Sequence, residues 1–224
     1  MTYVVELLHQ EHRNIEKLLR VLEQELSVFN LGDRPNYEVV VWIIDYFKDY
    51  PDSCHHPKED MIFDKLKSRD LAAAAKIGNL HAEHEEEATR LRRAAQAVEQ
   101  ILSDQDLVRQ TVDEIIRDFI DHQRQHMKME EQVFFPAALD ALRPKDWADI
   151  ALKLADRRDP LREPGLEQKF NMLRRKILEI EAEAKVGRLD YQGQIDTYRF
   201  TKVTATVSPH RYCVGPSSGT GRHA

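Results

Sequence analysis

The sequence has few cysteines: Cys54 and Cys213, far apart in 224 residues. Such a pair is no disulfide framework, and reduced thiols in a cytoplasmic protein are the expectation. No apolar run approaches the roughly 20 residues that span a bilayer. The opening MTYVVELLHQEHRNIEKLL carries acid and histidine by its second turn, where a secretion signal needs a basic start and an apolar middle, so no signal is expected. Basic excess is also missing, because 33 Lys and Arg against 39 Asp and Glu leave a net charge of −6. Neither nucleic acid nor an anionic membrane surface is therefore an expected partner. Glycine and proline number only 8 and 9, which excludes a collagen-like or low-complexity chain. Strand-like alternation is absent before residue 190.

What remains is 42% hydrophobic and 32% charged residues, enough for a core inside a polar shell. Apolar residues recur at helical spacing at Val4, Leu8, Ile15, Leu19, Leu22, Leu26 and Phe29, which predicts a helix over 2–29. Asn30, Gly32, Asp33 and Pro35 then mark a turn. A second helix is expected from about Asn36, meeting Pro51 and continuing through Leu66. Pro57 lacks a backbone donor, so it fits best where a fresh helical turn begins near Asp52 or Ser53. A third helix is expected over 72–102, with Ile77, Ala88, Leu91, Ala95, Val98 and Leu102 inside. A fourth spans about 105–135, with Val112, Ile115, Phe119, Met129 and Val133 inside and Pro136 ending or kinking it.

Long amphipathic helices with short connections predict an all-α fold, an up-down-up-down four-helix bundle over residues 1–142. A helical extension is expected over 143–187, with a stripe at Phe170, Leu173, Ile177 and Ile180. Residues 188–224 end in small polar residues and are expected to be a disordered tail.

The composition's oddity is its 10 histidines. His12 lies four after Leu8 and three before Ile15, so it points inward with them. His81 and His84 fill the steps between Ile77 and Ala88, and His122 and His126 follow Phe119. Two segments repeat a pattern: HHPKED holds His55-x-x-x-Glu59, and HMKMEE holds His126-x-x-x-Glu130. The four-residue step puts imidazole and carboxylate on one helix face, where both can meet one point. Burying these groups without a cation costs several kcal/mol in desolvation and repulsion.

The minimum donor set is His12, His55, Glu59, His84, His126 and Glu130. Six donors exceed what one tetrahedral zinc accepts. Two carboxylates among four imidazoles suit a bridged pair of ions, and the absence of thiolate favours non-heme iron, with manganese second. Two octahedral ions offer about twelve places, of which the protein fills about eight to ten. His81 and His122 stand one turn from core donors and are read either as further ligands or as groups that orient them. His56 and His9 are expected to face elsewhere, and Glu85-Glu86-Glu87 to be a solvated face.

The order of these motifs, L8-x-x-x-H12, HHPKED at 55–60, H81-A-E-H84 and HMKMEE at 126–131 before Phe-Pro, resembles the hemerythrin-like, or HHE cation-binding, family over about residues 3–140. The resemblance implies a hemerythrin-type bundle and a di-iron centre bridged by carboxylates and an oxo or hydroxo group. It implies ligands at His12, His55, Glu59, His84, His126 and Glu130, and O2, NO or peroxide as the small ligand. The four-residue step from His126 to Glu130 is similar to that of bacterial members, some linked to repair of iron centres under nitrosative stress. His81 and His84 stand three apart, where oxygen carriers have four. Binding for sensing, storage or stress protection is the first expectation. Turnover of peroxide or NO, or iron handling with an unknown redox partner, is the alternative, and a metal-free helical interaction module is the third. A ferritin-like bundle needs two E-x-x-H motifs, and Glu6-x-x-His9 supplies one.

Overall fold

The computed structural model describes residues 2–103, 108–156, 168–183, 185 and 186. Every regular element among them is helical: α1 (Tyr3–Asn30), α2 (Tyr37–Tyr50), α3 (His56–Arg69), α4 (Leu71–Ile77), α5 (Leu80–Leu102), α6 (Arg109–Met129), α7 (Phe135–Ala141) and α8 (Pro144–Asp156). A ninth helix, α9, covers 168–183. The chain divides into the units Met1–Ala182 and Glu183–Ala224. In the second unit the described side chains, Glu183, Lys185 and Val186, are exposed. The expectation of a disordered tail over 188–224 lies outside the described residues.

Four rods make the bundle. They are α1, then α2 running into α3, then α5, then α6 running into α7. In the ring they form, α1 packs on α6, α6 on α5, α5 on α2 and α2 on α1. The short connections carry turn and cap chemistry. Gly32 adopts φ 90° after α1, and Asn36 caps α2 by accepting from the Val39 amide at 3.3 Å.

The expected third helix is in fact two. Gly78, with φ 91° and ψ −144°, ends α4, and Asn79 opens α5. Only glycine takes that conformation without strain. Gly78→Ala is expected to destabilise the fold by about 1–3 kcal/mol, measured by urea denaturation, although nothing lies within 4 Å of the added methyl. Leu102, expected inside, is the last residue of α5 and is 48% exposed.

Neither Pro57 nor Pro136 ends its rod. Each is the second residue of a new helix, and each follows a five-residue π-helical turn, Pro51–His55 and Glu130–Phe134. The His56 amide reaches back to the Pro51 carbonyl and the Phe135 amide to that of Glu130, a wider step than the α-helical one. A proline cannot donate and crowds the carbonyl four residues before it, so a wide turn just ahead lets the rod continue. The wide turn also shifts the inward face. Val133, expected inside, is 42% exposed, while Glu130 and Phe134 are buried.

The interior has three layers. One apolar cluster holds Val4, Val5, Leu8, Ile62, Phe63, Leu66, Phe134 and Phe135, joined by Trp147 and Ile150 of α8. The other holds Ile15, Leu18, Leu22, Ile43, Phe47, Phe119 and Ile120, joined by Phe170 and Ile177 of α9. Between them lie Glu11 and His12 of α1, His55 at the end of the first π-helical turn, His56 and Glu59 of α3, His126 of α6 and Glu130 at the start of the second π-helical turn, all buried.

Candidate metal centre

Each rod contributes side chains to the polar layer. Two donor groups form, each with its atoms within 4.8 Å of one another: His12, His55, Glu59 and Glu130, and His56, Glu59, His84 and His126. In the first, His12 Nε2 lies 3.2 Å from His55 Nε2, 3.3 Å from Glu130 Oε2 and 3.7 Å from Glu59 Oε1. His55 Nε2 lies 3.2 Å from the same Glu59 oxygen. In the second, His84 Nε2 is 3.6 Å from Glu59 Oε2, and His126 Nε2 is 3.2 Å from Glu130 Oε1. Each carboxylate thus turns one oxygen to each group, the arrangement of a bridge.

Glu59 and Glu130 are both 0% exposed, and all four of their oxygens lack a hydrogen-bond partner. His84 Nε2 and His126 Nε2 are buried and unpartnered as well. Buried polar groups are normally satisfied. Here the orphaned atoms are lone-pair donors converging on two points, so the residues fit a pair of cations.

Without an ion the layer balances its charge with protons. Burial alone would raise the Glu59 pKa, but the His55 charge and contacts from His12, His55 and His84 outweigh it and hold the carboxyl well below its usual range. Burial alone would lower the histidines. Glu130, Glu131 and Glu59 instead raise His12 well above its ordinary value, and Glu59 and Glu11 raise His55. Against the same burial, Asp52 and Glu87 push His56 up to about 10, and Glu130 and Glu87 push His126 up to about 9.

An outer set of hydrogen bonds aims the imidazoles. His55 Nδ1 donates to Glu11 Oε2 at 2.8 Å, and Glu11 Oε1 accepts from Lys58 Nζ at 2.7 Å. His12 Nδ1 donates to Glu131 Oε1 at 2.9 Å, and the His12 ring stacks on Phe135. Such partners fix which ring nitrogen faces the ion. Glu11→Ala is expected to weaken metal retention about 10–100-fold in chelator competition while the bundle stays folded.

Six positions expected as donors, His12, His55, Glu59, His84, His126 and Glu130, are brought together in this layer. His81 is not among them. The break at Gly78 resets the helix phase, and His81 is 54% exposed with Nδ1 3.3 Å from Asp60 Oδ1. That pair and His84 form an outer group of three possible donors. His122 is half-buried, its ring 6.4 Å from that of His126, and it belongs to no donor group. Burial of its imidazole lowers its pKa.

Three expectations are corrected. His56 faces inward, stacked on His84 with ring centroids 3.7 Å apart. It stands three before Glu59, as His55 stands four before, and both steps share a helix face. His9 also meets the layer's edge, with Nδ1 3.3 Å from Glu131 Oε1. Glu87 is buried, unlike the exposed Glu85 and Glu86. It follows His84 by three, the same kind of signal.

A cleft of about 380 Å³, lined by His56, His84 and Glu87 among others, opens onto the second group. Another of about 440 Å³ borders His12 and Glu131. No described helix is long and apolar enough to cross a membrane.

A helical bundle with buried imidazole and carboxylate donors converging between its rods defines a cation-binding bundle protein. The model of the Hemerythrin HHE cation binding domain matches residues 3–138, and the chain belongs to that family. A search among curated proteins and a search among solved structures each found no match.

Proposed function

We propose that the protein holds a pair of non-heme irons, manganese being the second choice, and uses them to bind O2, NO or peroxide for sensing, storage or protection against oxidative and nitrosative stress. In this reading the first ion takes His12, His55, Glu59 and Glu130. The second takes His56, His84, His126 and the other oxygens of Glu59 and Glu130. One observation carries the reading: two wholly buried carboxylates present four unpartnered oxygens to imidazole nitrogens on both sides. Mixed nitrogen and oxygen donors with no thiolate suit iron.

When bound, reduced iron supplies electrons to a small oxidising ligand. The protein's part is position and exclusion. Glu11 and Glu131 hold His55 and His12 in one tautomer. The two apolar clusters above and below keep bulk water from the layer. With four protein donors, the first position leaves room for a small exogenous group.

The test is anaerobic reduction of the iron-loaded protein followed by O2 or NO. A stable adduct that reverses on removal of the gas is expected. Rapid consumption of O2, NO or peroxide without an adduct would replace the binding role by an enzymatic one.

A further inference from the structure

We propose that Glu87 is a further ligand of the second ion, a terminal carboxylate that fills its last coordination place. This rests on the ion-pair reading above and adds a residue to it. Glu87 lies on α5, one turn after His84, and is 5% exposed. Its Oε1 accepts from the Gln123 amide, itself buried. Its Oε2 is buried, has no hydrogen-bond partner, and lies 3.5 Å from His56 Nε2 and 3.8 Å from His126 Nε2.

Donors about 2.1 Å from one octahedral ion stand about 3.0 Å apart when adjacent and about 4.2 Å when opposite. Both separations of Glu87 Oε2 fall in that range. The proton inventory points the same way. The His56 Nδ1 side is taken by Asp52, 3.1 Å away, so Nε2 is the atom left for an ion. A nitrogen that gives its lone pair to an ion carries no proton. Once His56 and His126 bind through Nε2, neither has an N–H there to offer Glu87 Oε2. The carboxylate oxygen then either coordinates the ion or stands as a bare buried anion beside it, and coordination is the favourable outcome.

The consequence is an unequal pair. The second ion has three imidazoles, the two bridging carboxylates and Glu87, so its places are filled. The first has four protein donors. The cleft lined by His56, His84 and Glu87 reaches the second position, so a place left open there would be filled from solvent. Glu87 thereby confines exogenous ligands to the first ion.

The experiment loads wild type, Glu87→Gln and Glu87→Ala with iron. Iron content, the Mössbauer spectrum and azide stoichiometry from the azide-to-iron absorption are then measured. Wild type is expected to bind azide at the first ion alone, at no more than the roughly two places its four protein donors leave open. Glu87→Ala is expected to admit one azide more than wild type, at the second ion, or to lose one iron preferentially. Glu87→Gln keeps the shape and the Gln123 contact but is a poor ligand, so it should alter the quadrupole splitting of one iron and leave the other. If Glu87→Ala does not fold, Glu87→Gln decides. Wild-type protein with two irons, and variants with the same iron content, doublets and azide count, would overturn ligation by Glu87 alone. Wild-type protein without paired iron would overturn the ion-pair reading itself.

Discussion

Glu59→Ala is expected to empty both cation positions and to destabilise the bundle. Its Oε1 faces His12 and His55 and its Oε2 faces His84, so removing it would take a ligand from each ion at once. Loss of an outer orienting partner costs about 10–100-fold in metal affinity, and loss of a bridging ligand costs more at each ion. The variant is also worse off without metal. His12, His55 and His84 all turn toward Glu59, and with it gone the raised His12 and His55 each lose a buried counter-anion. Breaking a buried ion pair by deleting one partner costs about 3–5 kcal/mol. For a chain of this size that is a fall in Tm of about 6–20 °C. Iron analysis and calorimetry check both parts. Full iron occupancy in Glu59→Ala would remove Glu59 from the bridge.

Removing metal is expected to invert the dependence of stability on pH. In the metal-free protein the raised histidines contribute stabilisation that is complete below their ordinary value of 6.5. It is lost as pH rises through about 9 for His126 and about 10 for His56. The lowered carboxylates act oppositely. The contribution of Glu87, held at about 2, is complete above its ordinary 4.5 and is lost as pH falls toward 2. Burial would raise Glu87, but His56, His126 and Gln123 outweigh it. The metal-free protein is therefore most stable between about 4.5 and 6.5 and weakens toward alkaline pH.

An ion replaces those protons, since imidazole binds metal only when the bound nitrogen is deprotonated. Loading at neutral pH must release protons, and each one released strengthens binding by about 1.4 kcal/mol per pH unit. The gap in Tm between loaded and metal-free protein should widen from pH 6 to pH 9, and acidification should strip the ions. Calorimetry across that range checks it. A gap independent of pH would mean that the ions do not compete with these protons.

Much of this was legible in the residues. Periodicity marks the rods, and the paired His-x-x-x-Glu steps mark both wholly buried carboxylates. What escaped has physical causes. A period of 3.6 carried across Gly78 placed His81 inside, but a glycine with φ 91° breaks the phase. The same period carried past Met129 placed Val133 inside, but the wide turn before Pro136 rotates the face. His56 and Glu87 were missed because the four-residue step was applied and the three-residue step was not. His56 to Glu59 and His84 to Glu87 both take that shorter step. A run of three glutamates also reads as a wet surface, and only packing against α6, where Gln123 meets Glu87, buries the third.

The most direct test is metal analysis, with an absorption spectrum, of protein purified without added metal. The account predicts about two irons per chain and the near-ultraviolet and visible bands of a bridged ferric pair. A folded protein of undiminished stability that carries no ion, and takes up none when iron is supplied anaerobically, would contradict it.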